Sequence, residues 1–210
     1  MLFSKFTMTN NIKKICVFCG SHTGVRHEYM TASINLGRLL AQNNIELVYG
    51  GSSVGLMHQL AKSTKKYGGK VTGVIPRFLH EKGLTESIAD EIIVVETMPE
   101  RKEKMMQLAD AFIALPGGFG TLDEVFEVIT ASQLSLHEKP IGLANINGFF
   151  GLLVKHMERM IDEGFLNQAH KNTFIISEKI EVLFKNLFTY KAPEVQKYIE
   201  TVRDKGNYNV

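Results

Sequence analysis

LPGGFGTLDE (Leu115–Glu124) puts three glycines within four positions behind the apolar run AFIA (Ala111–Ala114), and then two carboxylates. An apolar run that breaks into glycine and resumes at helical spacing reads as a strand turning into a helix. Beyond Thr121, the residues Leu122, Val125, Phe126 and Ile129 fall at i, i+3, i+4 and i+7, which predicts the buried stripe of a helix. Glu124 and Glu127 then lie roughly opposite that stripe, towards whatever the crevice holds. Thr121 stands where a helix N-cap is expected, and its hydroxyl can also donate to a phosphate. Pro116 fixes the exit from the strand.

The same grammar recurs along the chain. KICVFCG, IELVYGG, KVTGVIP, DEIIVVE, AFIALPGG, KPIGLAN and NTFIIS read as strands. The intervening HEYMTASINLGRLLAQNN, VGLMHQLAKSTKKYGG, MPERKEKMMQLAD, TLDEVFEVITASQLSL and GFFGLLVKHMERMIDEG have helical patterns, as does KIEVLFKNLF. RFLHEKGLTES reads as a polar loop and PEVQKYIETVRD as a terminal helix. Short apolar strands alternating with helices predict a mainly parallel sheet with helices on both faces, a doubly wound, Rossmann-like α/β fold. Residues 1–12 are expected to be a flexible N-terminal arm and 13–210 a single domain.

Composition narrows the function classes. The 210 residues are 44% hydrophobic and 22% charged, which suits one domain with a sizeable core. A net charge of +2 with dispersed lysines gives no basic stripe, so no nucleic-acid partner is expected. No apolar stretch is long enough to span a bilayer, and no secretory signal is visible. Cys16 and Cys19 form a C-x-x-C, but at the two-residue period of a strand they point to opposite faces, and no second pair completes a zinc site. They read as buried thiols in a reducing, cytoplasmic protein. Of the histidines, only His22 and His27 are close together, too few for a metal. His22 and His58 read equally as ligand contacts or as satisfied polar groups.

Three of the strands end in glycine-rich turns that precede helices: CGSHTG with Gly20 and Gly24, YGGSSVG with Gly50, Gly51 and Gly55, and PGGFG with Gly117, Gly118 and Gly120. Glycine lets backbone N–H groups approach an anion, and a helix N-terminus adds a favourable dipole. Three such turns on one sheet edge predict a phosphate-bearing ligand. G-x-G-x-x-G fails at Asp123 and no Walker sequence is present, so a mononucleotide is favoured over a dinucleotide or a P-loop ATP site. Asp123 and Glu124 are also explicable as acids at a helix start. Arg101, early in its helix, opposes the dipole and needs an anionic partner: Glu100, Glu103, Glu124 or a substrate phosphate. Lys102 and Lys104 are expected to face solvent.

These stretches resemble the LOG ("lonely guy") family of cytokinin riboside 5′-monophosphate phosphoribohydrolases. PGGFGTLDE fits the family signature P-G-G-x-G-T-x-x-E, and ERKEKM fits its arginine-lysine element. ICVFCGSHTG, LVYGGSSVGLM, GVIPRFL, DAFIALPGG and KPIGLANINGFF follow in order, so that the resemblance spans roughly residues 12–188. It implies a homodimer, no cofactor, and hydrolysis of the N-glycosidic bond of a nucleoside 5′-monophosphate. It implies that Arg101 and Glu124 are the catalytic pair. Gly117, Gly118, Gly120 and Thr121 would be the phosphate loop, together with Pro116, Phe119 and Leu122. Lys102, Asp123 and Thr130 would line the substrate, as would Gly20, Ser21, Gly50, Gly51 and Met57. A loop glutamate also contributes, Glu81 by first choice with Glu86 as rival. Two departures stand out: Ala131 replaces a tryptophan, and Ser52 a glycine. The label lysine decarboxylase, often given to such chains, finds no lysine placed for a pyridoxal Schiff base. The alternative to an enzyme is a nucleotide-binding sensor or scaffold without turnover.

Overall fold

The computed structural model describes residues 10–193. Seven parallel strands form one sheet: β1 (Lys14–Phe18), β2 (Glu46–Tyr49), β3 (Val71–Pro76), β4 (Glu91–Val95), β5 (Ala111–Ala114), β6 (Ile141–Ala144) and β7 (Ile175–Ser177). Their order is β4-β3-β2-β1-β5-β6-β7. All seven expected strands are present. The terminal-helix expectation at PEVQKYIETVRD and most of the N-terminal arm lie outside the described residues. Within them, the Asn10 amide donates to the carbonyls of Leu187 and Tyr190, and Ile12 is buried in the core.

The helices are α1 (His27–Gln42), α2 (Gly55–Lys66), α3 (Arg77–His80), α4 (Met98–Leu108), α5 (Phe119–Gln133), α6 (Gly151–Asp162) and α7 (Ile180–Leu187). The loop expected at RFLHEKGLTES contains α3, a single helical turn that starts directly behind Pro76, whose fixed φ pre-sets the entry. One core packs α1, α2 and α7 on one face of the sheet, with Leu36, Leu40, Leu60 and Leu183 fully buried. The other packs α4 and α5 through Met105, Val125 and Val128 against Phe112 and Leu143. Cys16 belongs to the second core and Cys19 to the first, so the two thiols do fall on opposite faces, both buried.

From β1 the chain winds outward to β4 and then returns to place β5 on the other side of β1. The connections leaving β1 and β5 therefore diverge, which opens a crevice at their carboxyl ends, where ligands bind in open α/β sheets. The glycine turns all meet there. Gly20 N–H donates to the Pro116 carbonyl at 3.1 Å, and Leu56 N–H to the Gly20 carbonyl at 3.0 Å. Gly55 has φ +61°, and a Cβ there would collide with the Ser21 backbone. We predict that Gly55→Ala destabilises the fold by about 1–3 kcal/mol, from the left-handed φ alone, with the clash adding to it; urea unfolding measures this.

Candidate active site

The third glycine turn starts α5 earlier than its sequence suggests. Gly118 is the N-cap, with no side-chain cap, and the helix begins at Phe119. The expected N-cap at Thr121 is thus corrected: the chain has already turned at Gly117-Gly118, and Thr121 sits in the first turn. Its side chain is buried beneath Gly117, where a Cβ would overlap the Thr121 hydroxyl. Two consequences follow. The first-turn N–H groups have no side-chain acceptor. The first turn also holds no acid, so the helix start does not account for Asp123 and Glu124.

The buried stripe of α5 is Thr121, Glu124, Val125, Val128 and Ala131, while Leu122, Phe126 and Ile129 are only half-buried. The buried face thus lies about one residue round the helix from the expected stripe and includes Glu124. A carboxylate buried there needs a partner, and α4 supplies one. The Thr97 hydroxyl accepts from Glu100 N–H at 3.2 Å, and the Glu100 carboxylate accepts from Glu96 N–H at 2.8 Å, which fixes the first turn of α4. Arg101 follows in the chain and points into the protein, with only 8% of its surface exposed. Its Nη1 donates to Glu124 Oε1 at 3.1 Å, its Nε to the Val74 carbonyl at 3.0 Å, and its Nη2 to the Gly50 carbonyl at 3.2 Å. Of the anionic partners open to Arg101, the protein uses Glu124. Gly50 is glycine for a steric reason: a Cβ would occupy the position of Arg101 Nη2.

Burial raises the Glu124 carboxyl from 4.5 to about 7; Arg101 pulls the other way without cancelling it. Asp123 and Glu127 add to the rise and Lys102 opposes it. At neutral pH Glu124 is therefore poised to take or give a proton. Lys102 is mostly buried rather than facing solvent. Its ammonium lies 3.0 Å from Asp123 and 3.3 Å from Glu127, and these carboxylates raise its own titration.

A cavity of about 290 Å³ opens between the first and third glycine turns, lined by Gly20, Ser21, His22, Pro116, Gly117 and Gly118 among others, with Tyr29 and Phe149 as an aromatic wall. Met57 Sδ lies beside Gly50, and the Gly51 carbonyl accepts from Glu86 N–H at 2.9 Å. Phe119 and Gly120 are exposed in the first turn of α5. Two expected residues lie apart. Thr130 is exposed and borders a separate, more apolar hollow of about 370 Å³ between α5 and α6. Glu81 is exposed at the end of α3. The loop glutamate held against the second glycine turn is Glu86, because backbone pairing of residues 84–86 with that turn draws it in. Sequence reasoning missed the Val74 and Gly50 carbonyls, since backbone acceptors leave no signal in residue type. It also missed the tie of His58 to Glu86.

A family model described as "Possible lysine decarboxylase" matches residues 57–187. The cytokinin riboside 5′-monophosphate phosphoribohydrolase LOG5 of Arabidopsis thaliana is 40% identical over 182 residues, 87% of this chain and 80% of that protein. LOG7 of the same plant is 41% identical over 182 residues, 87% of this chain and 84% of that protein. The chain belongs to the LOG family. Among solved structures, the molybdenum cofactor binding protein of Rippkaea orientalis superposes with TM-score 0.65 at 23% identity, covering 84% of this chain and 95% of its own. The molybdenum cofactor carrier protein of Chlamydomonas reinhardtii gives 0.63 at 20% identity, covering 84% and 98%. These two likenesses speak to the fold alone. The family model's description sits on a chain whose LOG signature residues Arg101 and Glu124 are joined in one buried pair.

Gly50→Ala is expected to push the guanidinium away from Glu124. The Glu124 titration, followed by ¹³C NMR of the side-chain carboxyl, should then rise above about 7, because the one strong opposing charge has moved off.

Proposed function

We propose that the protein hydrolyses the N-glycosidic bond of a nucleoside 5′-monophosphate to free base and ribose 5-phosphate. The observation that carries this reading is the buried Arg101–Glu124 pair at the third glycine turn, with the uncapped N-terminus of α5 beside it. The 5′-phosphate binds to the N–H groups of Gly118–Thr121 and the dipole of α5. That contact is remote from the bond broken, so its binding energy orients the sugar. As the C1′–N bond breaks, the base leaves with the electron pair and positive charge develops on the ribose. Ionised Glu124 stabilises that charge and takes a proton from the attacking water, whose oxygen bonds to C1′; the departing base gains a proton. Arg101 keeps the carboxylate aimed and lowers the cost of its ionised form. Lys102 holds Asp123 and Glu127 at the rim and is placed to meet the phosphate or a ribose hydroxyl.

The names of LOG5 and LOG7 point to a cytokinin riboside 5′-monophosphate as the substrate, and AMP is the ordinary monophosphate to set against it. Ala131 is buried at the end of the α5 stripe, so replacing the family's tryptophan does not touch the cavity by the glycine turns. The working unit is a homodimer. The α5–α6 hollow, lined by Phe126, Ile129, Met157, Met160 and Phe174, is a surface for a second copy, and it presents Thr130 outward. No helix among the described residues is long and apolar enough to cross a membrane. Two buried free thiols suit the reducing cytoplasm.

The test is release of free base from AMP and from isopentenyladenosine monophosphate, followed by chromatography. Glu124→Gln should bind with KM nearly unchanged and lose about 10²-fold or more in kcat. Release from the wild type alone establishes the reading, and the two rates rank the bases. No release from either compound leaves the non-catalytic nucleotide binder. The pH dependence has a defined sign. Glu124 must be ionised to act as a base, and its titration lies at about 7, above the ordinary 4.5. Activity should rise as pH increases through about 7, rather than already being at its plateau at pH 6.

A further inference from the structure

Glu86, buried, and His58, a third exposed, form a clamp outside the catalytic pair. The Glu86 side chain is 3% exposed. Its Oε2 lies 2.6 Å from His58 Nδ1, and its Oε1 accepts from the N–H groups of Ser87 at 2.9 Å and Ile88 at 3.4 Å. With both oxygens engaged and the carboxylate buried, Glu86 has little left to offer a substrate. Its main chain does something else. Glu86 N–H donates to the Gly51 carbonyl, and Ser53 N–H to the Leu84 carbonyl, both at 2.9 Å. Ser52 and Thr85 bridge in antiparallel sense between them. Residues 84–86 thus form a short ladder along the second glycine turn, and His58, one turn into α2, pins its end. Gly50, immediately before that ladder, is the residue whose carbonyl accepts from Arg101 Nη2.

We propose that His58 and Glu86 are positioning residues for catalysis: they fix the second glycine turn so that the Gly50 carbonyl holds Arg101 against Glu124. The chain of contacts is short. Gly51 sits at φ +68°, packed on the backbone of Val74, and the Val74 carbonyl takes the Arg101 Nε. A turn released at residues 84–86 shifts two of the three groups that orient the guanidinium. The Tyr49 ring, directly before Gly50, is fully buried beside this clamp, and its hydroxyl has no hydrogen-bond partner among the described residues. Glu86 adds to burial in raising its titration, which marks the clamp as close to the base of the turn.

The inference rests on Arg101 and Glu124 as the catalytic pair, and its test has a readout that needs no turnover. The Glu124 carboxyl is titrated by ¹³C NMR in the free protein, in wild type, His58→Ala, Glu86→Gln and Glu86→Ala. The charged groups that bear on Glu124 are Arg101 and Lys102 of α4 and Asp123 and Glu127 of α5, and none of them is altered. Loosening Arg101 removes an opposing charge, so the Glu124 titration should move upward by about half a pH unit or more in His58→Ala and Glu86→Ala, with partial return in Glu86→Gln. Alongside, kcat should fall about tenfold with KM within about twofold. A role confined to stability would lower the thermal midpoint and leave the Glu124 titration where it is. An unmoved titration in folded His58→Ala, where the histidine lies a third exposed on α2, overturns the proposal. So does a change in KM alone, which would instead put Glu86 on the substrate. If the wild type shows no turnover but the titration shifts, the clamp stands and the hydrolase reading falls.

Discussion

A charged pair out of water constrains everything around it. Arg101 and Glu124 are each more than nine-tenths buried, and neither is stable there alone. Removing one partner of such a pair typically costs about 3–5 kcal/mol, because the other is left as an uncompensated charge. The pair therefore dictates its surroundings. Arg101 needs acceptors for its remaining nitrogens, and the carbonyls of Gly50, just after β2, and Val74, within β3, provide them. Gly50 must lack a side chain to leave room. The capped first turn of α4 delivers the arginine, and α5 delivers the glutamate. The result is a carboxyl whose burial outweighs its ion pair, so that it titrates near neutrality rather than as an ordinary surface acid.

The glycine turns serve two ends in one structure. At Gly20, Gly55 and Gly117 they let backbone pack on backbone, so the carboxyl ends of β1, β2 and β5 can close on each other. At Gly118 and Gly120 they put no side chain over the start of α5, where Phe119 projects into solvent. The bare helix start and the sheet closure are thus not separate features of the sequence. Both follow from placing residues without side chains at the switch point of a doubly wound sheet.

Much of this was legible in the residues. All seven strands follow from short apolar runs, and the crevice from their alternation with helices. Arg101 was singled out because a cation early in a helix needs an anion, and Glu124 was among the partners named. The misses have physical causes. Thr121 looked like an N-cap because threonine usually is one, but glycine at 118 ends the turn sooner and the helix begins three residues earlier. The buried face of α5 also lies about one residue round from the predicted stripe, because Glu124 pairs with Arg101 of α4 inside the protein. Lys102 looked solvated because single lysines usually are, yet two carboxylates on α5 draw it in. Glu81 was preferred to Glu86, but Glu81 is exposed and Glu86 is the one held against the second glycine turn. Only the ladder between residues 84–86 and the second glycine turn separates them, and such backbone pairing has no signature in side-chain type.

The most direct test of the central claim is a crystal structure of the Glu124→Gln protein with AMP bound. The account predicts the phosphate on the N–H groups at Gly118–Thr121 and the glycosidic C1′ within one water of residue 124, with Arg101 unmoved. A nucleotide seated away from the third glycine turn, or one with its glycosidic bond remote from residue 124, would contradict it.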